Sequence, residues 1–526
     1  MPLPHRQIQS FARHLAEASG ADVRTDDATR DRYSTDQSIY RVCPLAVCIA
    51  TTAEQAARAI AVCAAEGVPV TPRGRGSGTA GAALGAGVVL LSADSGGLAG
   101  VSDVYTADGD TVVRVGPGVV HAALQGFLGE RGLYLPADPT SAAISVLGGN
   151  IATKASGPHA LRHGSIDRHL RSLSFIDSRG ELIDSATPSS TPSSLLNGLE
   201  AVRRAVRADH EASELLTRRL SMKCASGLNL GAFVRKLTPA EALGQLLVGS
   251  IGTLGFVTSA ELRVIPIVPE RASTLLYFTD LRDAGAAVVA IRDIGAAAIE
   301  IVNHTTLSIV KKRSAGLNVP DTPCHVLLVE YEGPARMEQI AAVERLVASF
   351  GLAAPAVTVD GPEEQQQLWK VRKALLPLIR NAAPGLTAPS VVNDIGIPPE
   401  RLAECITALE RLFARLGLEA AIYGHAGSGN LHLRPFFPRG EALPSLLQET
   451  ADAVYELVLG FGGTVTAEHG MGRLRAPYLR REWGDAVYGY MQEVKQLFDP
   501  TDVLNPGVLF GRDSLLDDID PRLLRP

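Results

Sequence analysis

Pro72-Arg73-Gly74-Arg75-Gly76-Ser77-Gly78-Thr79 carries glycine at three alternating positions, 74, 76 and 78. Glycine permits φ > 0 and lets a ligand approach the backbone closely. Successive N–H groups in such a loop form an anion nest, and a diphosphate is the natural guest. A plain turn fits the same residues. The spacing is not Gly-x-Gly-x-x-Gly, and no Lys-Ser/Thr follows to make a Walker A loop.

What precedes this loop is a βαβ unit. Leu45–Ala50 reads as a strand, Thr51 with Glu54 as a capping box, and Ala57, Ile60, Ala61 and Ala64 repeat with helical spacing. Gly67 ends the helix, and Val68–Thr71 returns as a strand that runs into the loop. Beyond the loop, Val88–Leu91 and Thr111–Val115 read as strands and His121–Arg131 as a helix. Two more clusters of small residues follow. Leu135-Pro136-Ala137-Asp138-Pro139-Thr140-Ser141 leads to Gly148-Gly149-Asn150-Ile151-Ala152-Thr153, Ser156-Gly157 and Arg162-His163-Gly164. The third is Gly249-Ser250-Ile251-Gly252-Thr253-Leu254-Gly255, which opens into Phe256-Val257. Three such loops between strands can wrap one long ligand.

Ser185–Leu195, rich in Ser, Thr and Pro, reads as a loop, and Phe256–Pro266 as the strand closing the first half. After about Pro269 the alternation lengthens. Leu275–Phe278, Ala297–Val302, His325–Tyr331, Val391–Ile397 and Ala420–His425 read as strands. Helices fit at Ala335–Phe350, Pro399–Leu416 and about Asp485–Phe498, the last with Val487, Met491, Val494 and Phe498 on one face. This pattern predicts an α+β unit with helices on one face of a sheet.

The 526 residues exceed a single core and set a prior of about three folding units. A hydrophobic share of 46% against 20% charged is globular and excludes wholesale disorder. The formal charge of -6, without a basic block, gives nucleic acid no electrostatic footing. Six cysteines without Cys-x-x-Cys exclude an iron–sulfur run or zinc finger and favour a reducing, cytoplasmic setting. Met1–Leu15 lacks the apolar run of a signal peptide, and no stretch of 18 apolar residues is uninterrupted. A soluble protein is expected, with peripheral contact at an inner membrane left open.

The second half carries Tyr423-Gly424-His425-Ala426-Gly427-Ser428-Gly429-Asn430-Leu431-His432-Leu433-Arg434. Its Gly-Ser-Gly turn predicts a hairpin that brings His425 and His432 together, with Arg434 on the face of His432. Further on, Gly462-Gly463-Thr464-Val465-Thr466-Ala467 leads to Glu468-His469. Two imidazoles and a carboxylate suffice for zinc or manganese with an open position. Ordinary buried polar residues are the competing reading. Lys370, Arg372 and Lys373 in Leu368–Lys373 fit a solvated helix face on composition alone.

Taken together, PRGRGSGTAG, LPADPTSAAISVLGGNIATKASG, LRHGS, GSIGTLGFVT, GHAGSGNLHL and GGTVTAEHGMG resemble the vanillyl-alcohol-oxidase-type flavoproteins. The branch they resemble is that of the D-lactate and D-2-hydroxyacid dehydrogenases, and the resemblance spans roughly residues 30–512 in the family's order. It implies an α+β fold. A two-part FAD-binding domain would occupy 1–268, with its core at about 40–266. A substrate or cap domain with an antiparallel sheet and the metal site would occupy 269–480. The segment 481–526 would return to the FAD domain.

The resemblance also implies the site residues. FAD would be held by Pro72, Arg73, Gly74, Arg75, Gly76, Ser77, Gly78 and Thr79. Pro136, Asp138, Ser141, Gly148, Gly149, Thr153, Ser156, Gly157 and Gly164 would join them, with Gly252, Val257 and Asn505 of Leu504–Gly507. Some relatives bind flavin covalently through a histidine of the first loop. Residues 73–79 contain none, so FAD is expected to be non-covalent. His425, His432 and Glu468 would bind zinc or manganese, and His469 would be the base. Arg372, in a stretch resembling the family's Trp-x-x-Arg, would clamp the substrate carboxylate with Lys370 and Arg434 nearby. Ser428 stands where the family commonly has Asp, and Arg434 where it often has Asn, which points to a more acidic substrate. Lys223–Leu230 resembles a further family stretch that usually has Tyr in place of Leu228.

The implied activity is oxidation of a D-2-hydroxy acid (D-lactate, D-2-hydroxyglutarate or glycolate class) to the 2-oxo acid. Electrons would pass to an external iron–sulfur protein, electron-transfer flavoprotein or quinone. A homodimer is left open. The competing readings are a sugar-lactone or alditol oxidase on the same fold, a metallohydrolase without flavin, and a flavin-binding subunit without catalysis.

Overall fold

The computed structural model describes residues 5–187, 189, 191–311, 320, 322–380 and 385–524, leaving aside the side chains at 5–6, 370–371, 373–378 and 380. Three main sheets organise it. The first has the order Asp22–Arg24, Ala46–Ala50, Val88–Ser92, Val70–Arg73; its last three strands are parallel. The helix Ala53–Ala65 makes the crossover. It starts one residue later than the spacing predicts. Thr52 is the N-cap and accepts from Gln55 N, while Thr51 gives its amide and hydroxyl to Gln55 Oε1. The buried face is Ala56, Ala59, Ile60 and Cys63, not the expected Ala57, Ile60, Ala61 and Ala64. In open α/β sheets ligands bind beyond the carboxyl ends of the strands, and the glycine loop leaves Val70–Arg73 at that end.

The second sheet is antiparallel, in the order Tyr105–Ala107, Asp110–Val115, Phe256–Arg263, Leu170–Ile176, Leu182–Asp184. Phe256–Arg263 alternates buried and half-buried residues along its length, the period-2 signature of a strand with one covered face. The Ser/Thr/Pro stretch expected as a loop turns helical at Ser193, where Ser193–Ala208 begins; residues 188 and 190 lie outside the described set.

The third sheet has seven antiparallel strands: Leu352–Val359, Arg271–Phe278, His325–Glu332, Ala298–Val302, Ala420–His425, Asn430–Pro435 and Ile395–Gly396. Strand alternation divides it. Ile299, Ile301, Leu327 and Val329 join the main core with Ala284, Val288 and Ile291 of Leu281–Ile294 and Leu409 and Phe413 of Leu402–Arg415. The expectation of helices on one face alone is corrected here. Ile309 and Val310 of His304–Lys311, and Ile379 of Pro362–Arg380, pack on the other face against Val302, Ala421 and Tyr423. That face also carries the buried carboxylate Glu300, one residue out of phase with Ile299 and Ile301.

The predicted strand Val391–Ile397 is also corrected: only Ile395–Gly396 pairs, against Leu431 and Asn430. Leu352–Val359 was not predicted. It lies at the sheet's edge, where Pro355 costs no inner ladder bond. All six cysteines are free thiols, and no described helix is long and apolar enough to cross a membrane.

The chain's end completes its beginning. Val70 N donates to Val503 O and Asn505 N to Val70 O, so the late segment runs beside the strand that feeds the first loop. Asn505, at φ +46, gives its amide to Ala82 O (2.9 Å) and Ile251 O (2.8 Å), joining the first and third loops from behind. Asn505→Ala would leave two buried carbonyls without a donor and force an alanine into the left-handed region. It is expected to lower stability by about 2–4 kcal/mol, read as a fall in thermal midpoint.

Candidate functional site

One cavity of about 1140 Å³ joins the glycine loops to the histidines. Residues 72–79 line it without a gap, as do Asp138, Ser141, Gly148, Gly149, Thr153, Ser156, Gly252 and Val257. The opposite wall holds Arg372, His425, His432, Arg434, Glu468 and His469. Four expected cofactor residues do not line it: Pro136, Gly157, Gly164 and Asn505. Gly157 is small because any Cβ would strike Asp138, Gly164 turns at φ +77, and Asn505 is the clamp already described. Arg73 lines the cavity, but its guanidinium is committed beneath the loop, to Ala83 O (2.9 Å) and Thr35 O (2.8 Å). Gly76, at φ +69, leaves room for that arginine.

The hairpin forms as its turn predicts. Tyr423 stands opposite His432, and Gly429 closes the turn at φ +69, where a Cβ would strike Ile397 O. His425 Nε2 and His432 Nε2 lie 3.4 Å apart, and Glu468 Oε1 lies 3.5 Å from the first and 3.4 Å from the second. Both rings are held from behind. His425 Nδ1 is 2.5 Å from Glu300 Oε1, and His432 Nδ1 is 3.0 Å from Asn393 O, so each ring turns Nε2 toward Glu468. Glu468 Oε2 takes Lys223 Nζ at 2.5 Å and Ser156 Oγ at 3.3 Å, which leaves Oε1 to the histidines.

Asp394 organises this arrangement and went unnoticed in the sequence. Fully buried, its Oδ2 accepts Thr466 Oγ1 (2.5 Å) and three successive amides, Ala467 N (3.1 Å), Glu468 N (3.1 Å) and His469 N (2.9 Å). Its Oδ1 accepts Asn430 Nδ2 (2.8 Å) from the hairpin. Asn430 Oδ1 in turn accepts Lys223 Nζ at 3.0 Å. Burial alone would raise the Asp394 carboxyl, but His469 and Arg475 outweigh it and hold the group well below the usual range. Arg475, fully buried, ties Gly470 O (2.9 Å) to Asn393 Oδ1 (3.4 Å). The only sequence signal for Asn393 and Asp394 was two polar residues inside an apolar run, Val391-Val392-Asn393-Asp394-Ile395.

Arg372 lines the cavity beside Tyr423. Its Nε (2.7 Å) and one terminal nitrogen (2.6 Å) grip Glu300, and its guanidinium lies over Tyr423 at 5.0 Å. Burial opposes ionisation of Glu300, yet His425 and Arg372 bring it down to about 2. Arg434, 4% exposed, donates to Ser390 Oγ at 2.6 Å. The Lys370 side chain lies outside the described residues. Burial pushes His432 down to about 3 and also lowers His469. Burial would lower His425 too, but Glu300 outweighs it and the ring is raised.

Known proteins match this architecture. The family described as "FAD binding domain" matches residues 44–186, and that described as "FAD linked oxidases, C-terminal domain" matches residues 268–509. A glycolate oxidase subunit of Bacillus subtilis is 27% identical, over 95% of this chain and 96% of its own. A D-lactate dehydrogenase of Anaerostipes hadrus is 27% identical, over 92% and 93%. A D-2-hydroxyglutarate dehydrogenase of Pseudomonas putida is 28% identical over 92% of this chain, which spans half that relative's length. Among solved structures, an alkyldihydroxyacetonephosphate synthase shares the fold: TM-score 0.63, 16% identity, 96% of this chain and 86% of that one.

Asp394→Asn preserves volume but removes the charge that gathers the amides of residues 467–469. Breaking one side of a buried, hydrogen-bonded charge network costs about 3–5 kcal/mol, and a fall of that size is expected in urea unfolding. A loss below about 1 kcal/mol, the worth of one ordinary hydrogen bond, would deny Asp394 this organising role.

Proposed function

Since the chain is an FAD-linked oxidoreductase of the D-lactate and D-2-hydroxyglutarate dehydrogenase branch, we propose that it oxidises a D-2-hydroxy acid to the 2-oxo acid with the help of a divalent metal. The observation that carries this reading is the triangle of His425 Nε2, His432 Nε2 and Glu468 Oε1, with sides of 3.4, 3.4 and 3.5 Å. Tetrahedral zinc with bonds of about 2.0–2.1 Å needs ligand atoms about 3.3–3.4 Å apart. The donor set therefore fits zinc without rearrangement. Both rings are anchored through Nδ1, as ligating histidines commonly are.

The glycine loops fit the FAD pyrophosphate. Gly74, Gly76 and Gly78 line the cavity without side chains, alternating with Arg75 and Ser77, and the cavity's volume is ample for a dinucleotide. When bound, FAD supplies the hydride acceptor and the metal a Lewis acid. The chain's own residues do the rest. His469, 29% exposed and held through its amide by Asp394, takes the hydroxyl proton. Arg434, two residues beyond His432 on the same strand face, holds the substrate carboxylate. Arg372 acts through Glu300 to orient His425. Lys223 keeps Glu468 ionised. Electrons leave to an external acceptor, because no cysteine run could hold a cluster in this chain. The relatives named for glycolate, D-lactate and D-2-hydroxyglutarate all refer to 2-hydroxy acids, which supports the substrate class.

A sugar-lactone oxidase would leave the triangle without use. Anaerobic bleaching of the flavin separates the readings: D-2-hydroxy acids should bleach it, L-isomers should not, and a chelator should stop the bleaching. Bleaching that survives metal removal would sink the metal-assisted mechanism. His432→Ala is expected to lose metal and turnover while the protein stays yellow. His469→Gln should keep its metal and still fail to bleach. Because burial lowers His469, kcat/KM should decline on the acid side only below about 6.5, the ordinary histidine value.

Arg434→Gln is expected to lower kcat/KM by about 100-fold or more, as loss of a buried charge partner costs about 2–5 kcal/mol. The effect should appear mainly in KM. Lysine should restore little, since it lacks the planar fork. Near-normal kinetics would remove Arg434 from the carboxylate.

A further inference from the structure

Behind the histidine hairpin lies a second pocket, of about 540 Å³. It shares no opening residue with the first: its walls come from 154–168, 216–235 and 248–249, from Arg292, Pro399 and Trp483, and from Gly427–Ser428 at the hairpin turn. Six cations line it, namely Lys154, Arg168, Arg219, Lys223, Arg235 and Arg292. The single carboxylate among the lining residues is Asp167, 3.6 Å from Lys154. Three of the remaining cations have acids outside the pocket: Lys223 has Glu468 (2.5 Å), Arg292 has Glu400 (3.1 Å) and Arg219 has Glu482 (3.6 Å). Among the described residues Arg168 and Arg235 have no acid within ion-pair distance, although Arg235 lies near enough to Glu241 to favour its ionised form. Arg219, 8% exposed, and Arg292 each also keep a buried Nε–H without an acceptor. Arg168, exposed at the rim, and Arg235, half-buried, thus leave the pocket with positive charge that concentrates counter-ions of the other sign.

We infer that this pocket binds a small anion with two or more negative charges, a phosphate or a polycarboxylate. Guanidinium forks pair such oxygens bidentately. Arg168 and Arg235 come from the first half of the chain and Arg292 from the second, so the anion bridges the two. Its presence reaches the catalytic wall by two routes. Lys223 lines the pocket and ends on Glu468, and Ser428 lines it and donates to His425 O at 3.2 Å. The inference does not depend on the substrate or metal proposed above.

The chain has two tryptophans, one in each cavity: Trp369 in the first and Trp483 in the second. The flavin-loaded Trp369→Phe protein therefore reports on the second pocket through Trp483. At constant ionic strength, inorganic phosphate or citrate should change its emission saturably. Arg168→Gln with Arg235→Gln should raise the dissociation constant by about tenfold or more, the worth of one or two charge-assisted contacts. Phosphate alone acting would assign a phosphate site, and citrate alone a carboxylate site; either supports the inference. If the double variant does not stay yellow, the single variants are measured, each with an expected rise of about threefold. No saturable change with either anion overturns the proposal, as does unchanged affinity in the arginine variants.

Discussion

A buried carboxylate that collects backbone amides is the constraint from which this site follows. Three consecutive N–H groups, 467 to 469, converge on one oxygen of Asp394, and the other oxygen takes the hairpin's Asn430. Charge-assisted hydrogen bonds contribute roughly 1.5–3 kcal/mol each, so the loop's path is set before any ligand arrives. Glu468 and His469 are neighbours in sequence, yet that path sends one toward the histidine pair and leaves the other open to the cavity. The same carboxylate thus fixes both the spacing of the polar triangle and the position of the next imidazole.

The surrounding charges are arranged in alternation rather than as isolated pairs. Arg372 meets Glu300, Glu300 meets His425, and Glu468 lies between the histidines and Lys223. Glu300 and Glu468 each have a cation partner besides the histidines, Arg372 and Lys223. Such networks hold together only when every member is satisfied, which explains why so many charged groups tolerate burial here. A nonpolar sheet face would pack more simply, but it would not turn two imidazole rings to a common point.

The glycine loops, the hairpin and the Glu-His pair were legible because each is local: a turn residue, a spacing, a pair of neighbours. The parallel start of the fold was legible for the same reason. The pairings of Asp394, Glu300 and Lys223 were not, since their partners lie 72–75, 125 and 245 residues away. Arg372 shows the limit from the other side. Its motif marked it as important, but only the fold reveals that Glu300 occupies its fork. Val391–Ile397 was misread because an apolar run predicts pairing, whereas Asn393 and Asp394 spend their polar groups on the site and leave two residues in the ladder. The helices flanking both faces of the large sheet could not be assigned from periodicity, which tells that a face is covered but not which layer covers it.

Val503–Asn505 closing on Val70, Ala82 and Ile251 has a consequence for how the chain is made. Synthesis runs from the amino end, and domains ordinarily fold as they emerge. Here the first loops to leave the ribosome are finished by one of the last segments. The nascent first half must therefore wait, with its glycine loops unbraced, until more than two hundred later residues have been added. Contacts of such sequence separation slow folding, and an unfinished chain exposes the strand Val70–Arg73 along its free side. A truncation near residue 500 would thus be felt not at the end of the molecule but at its nucleotide cradle.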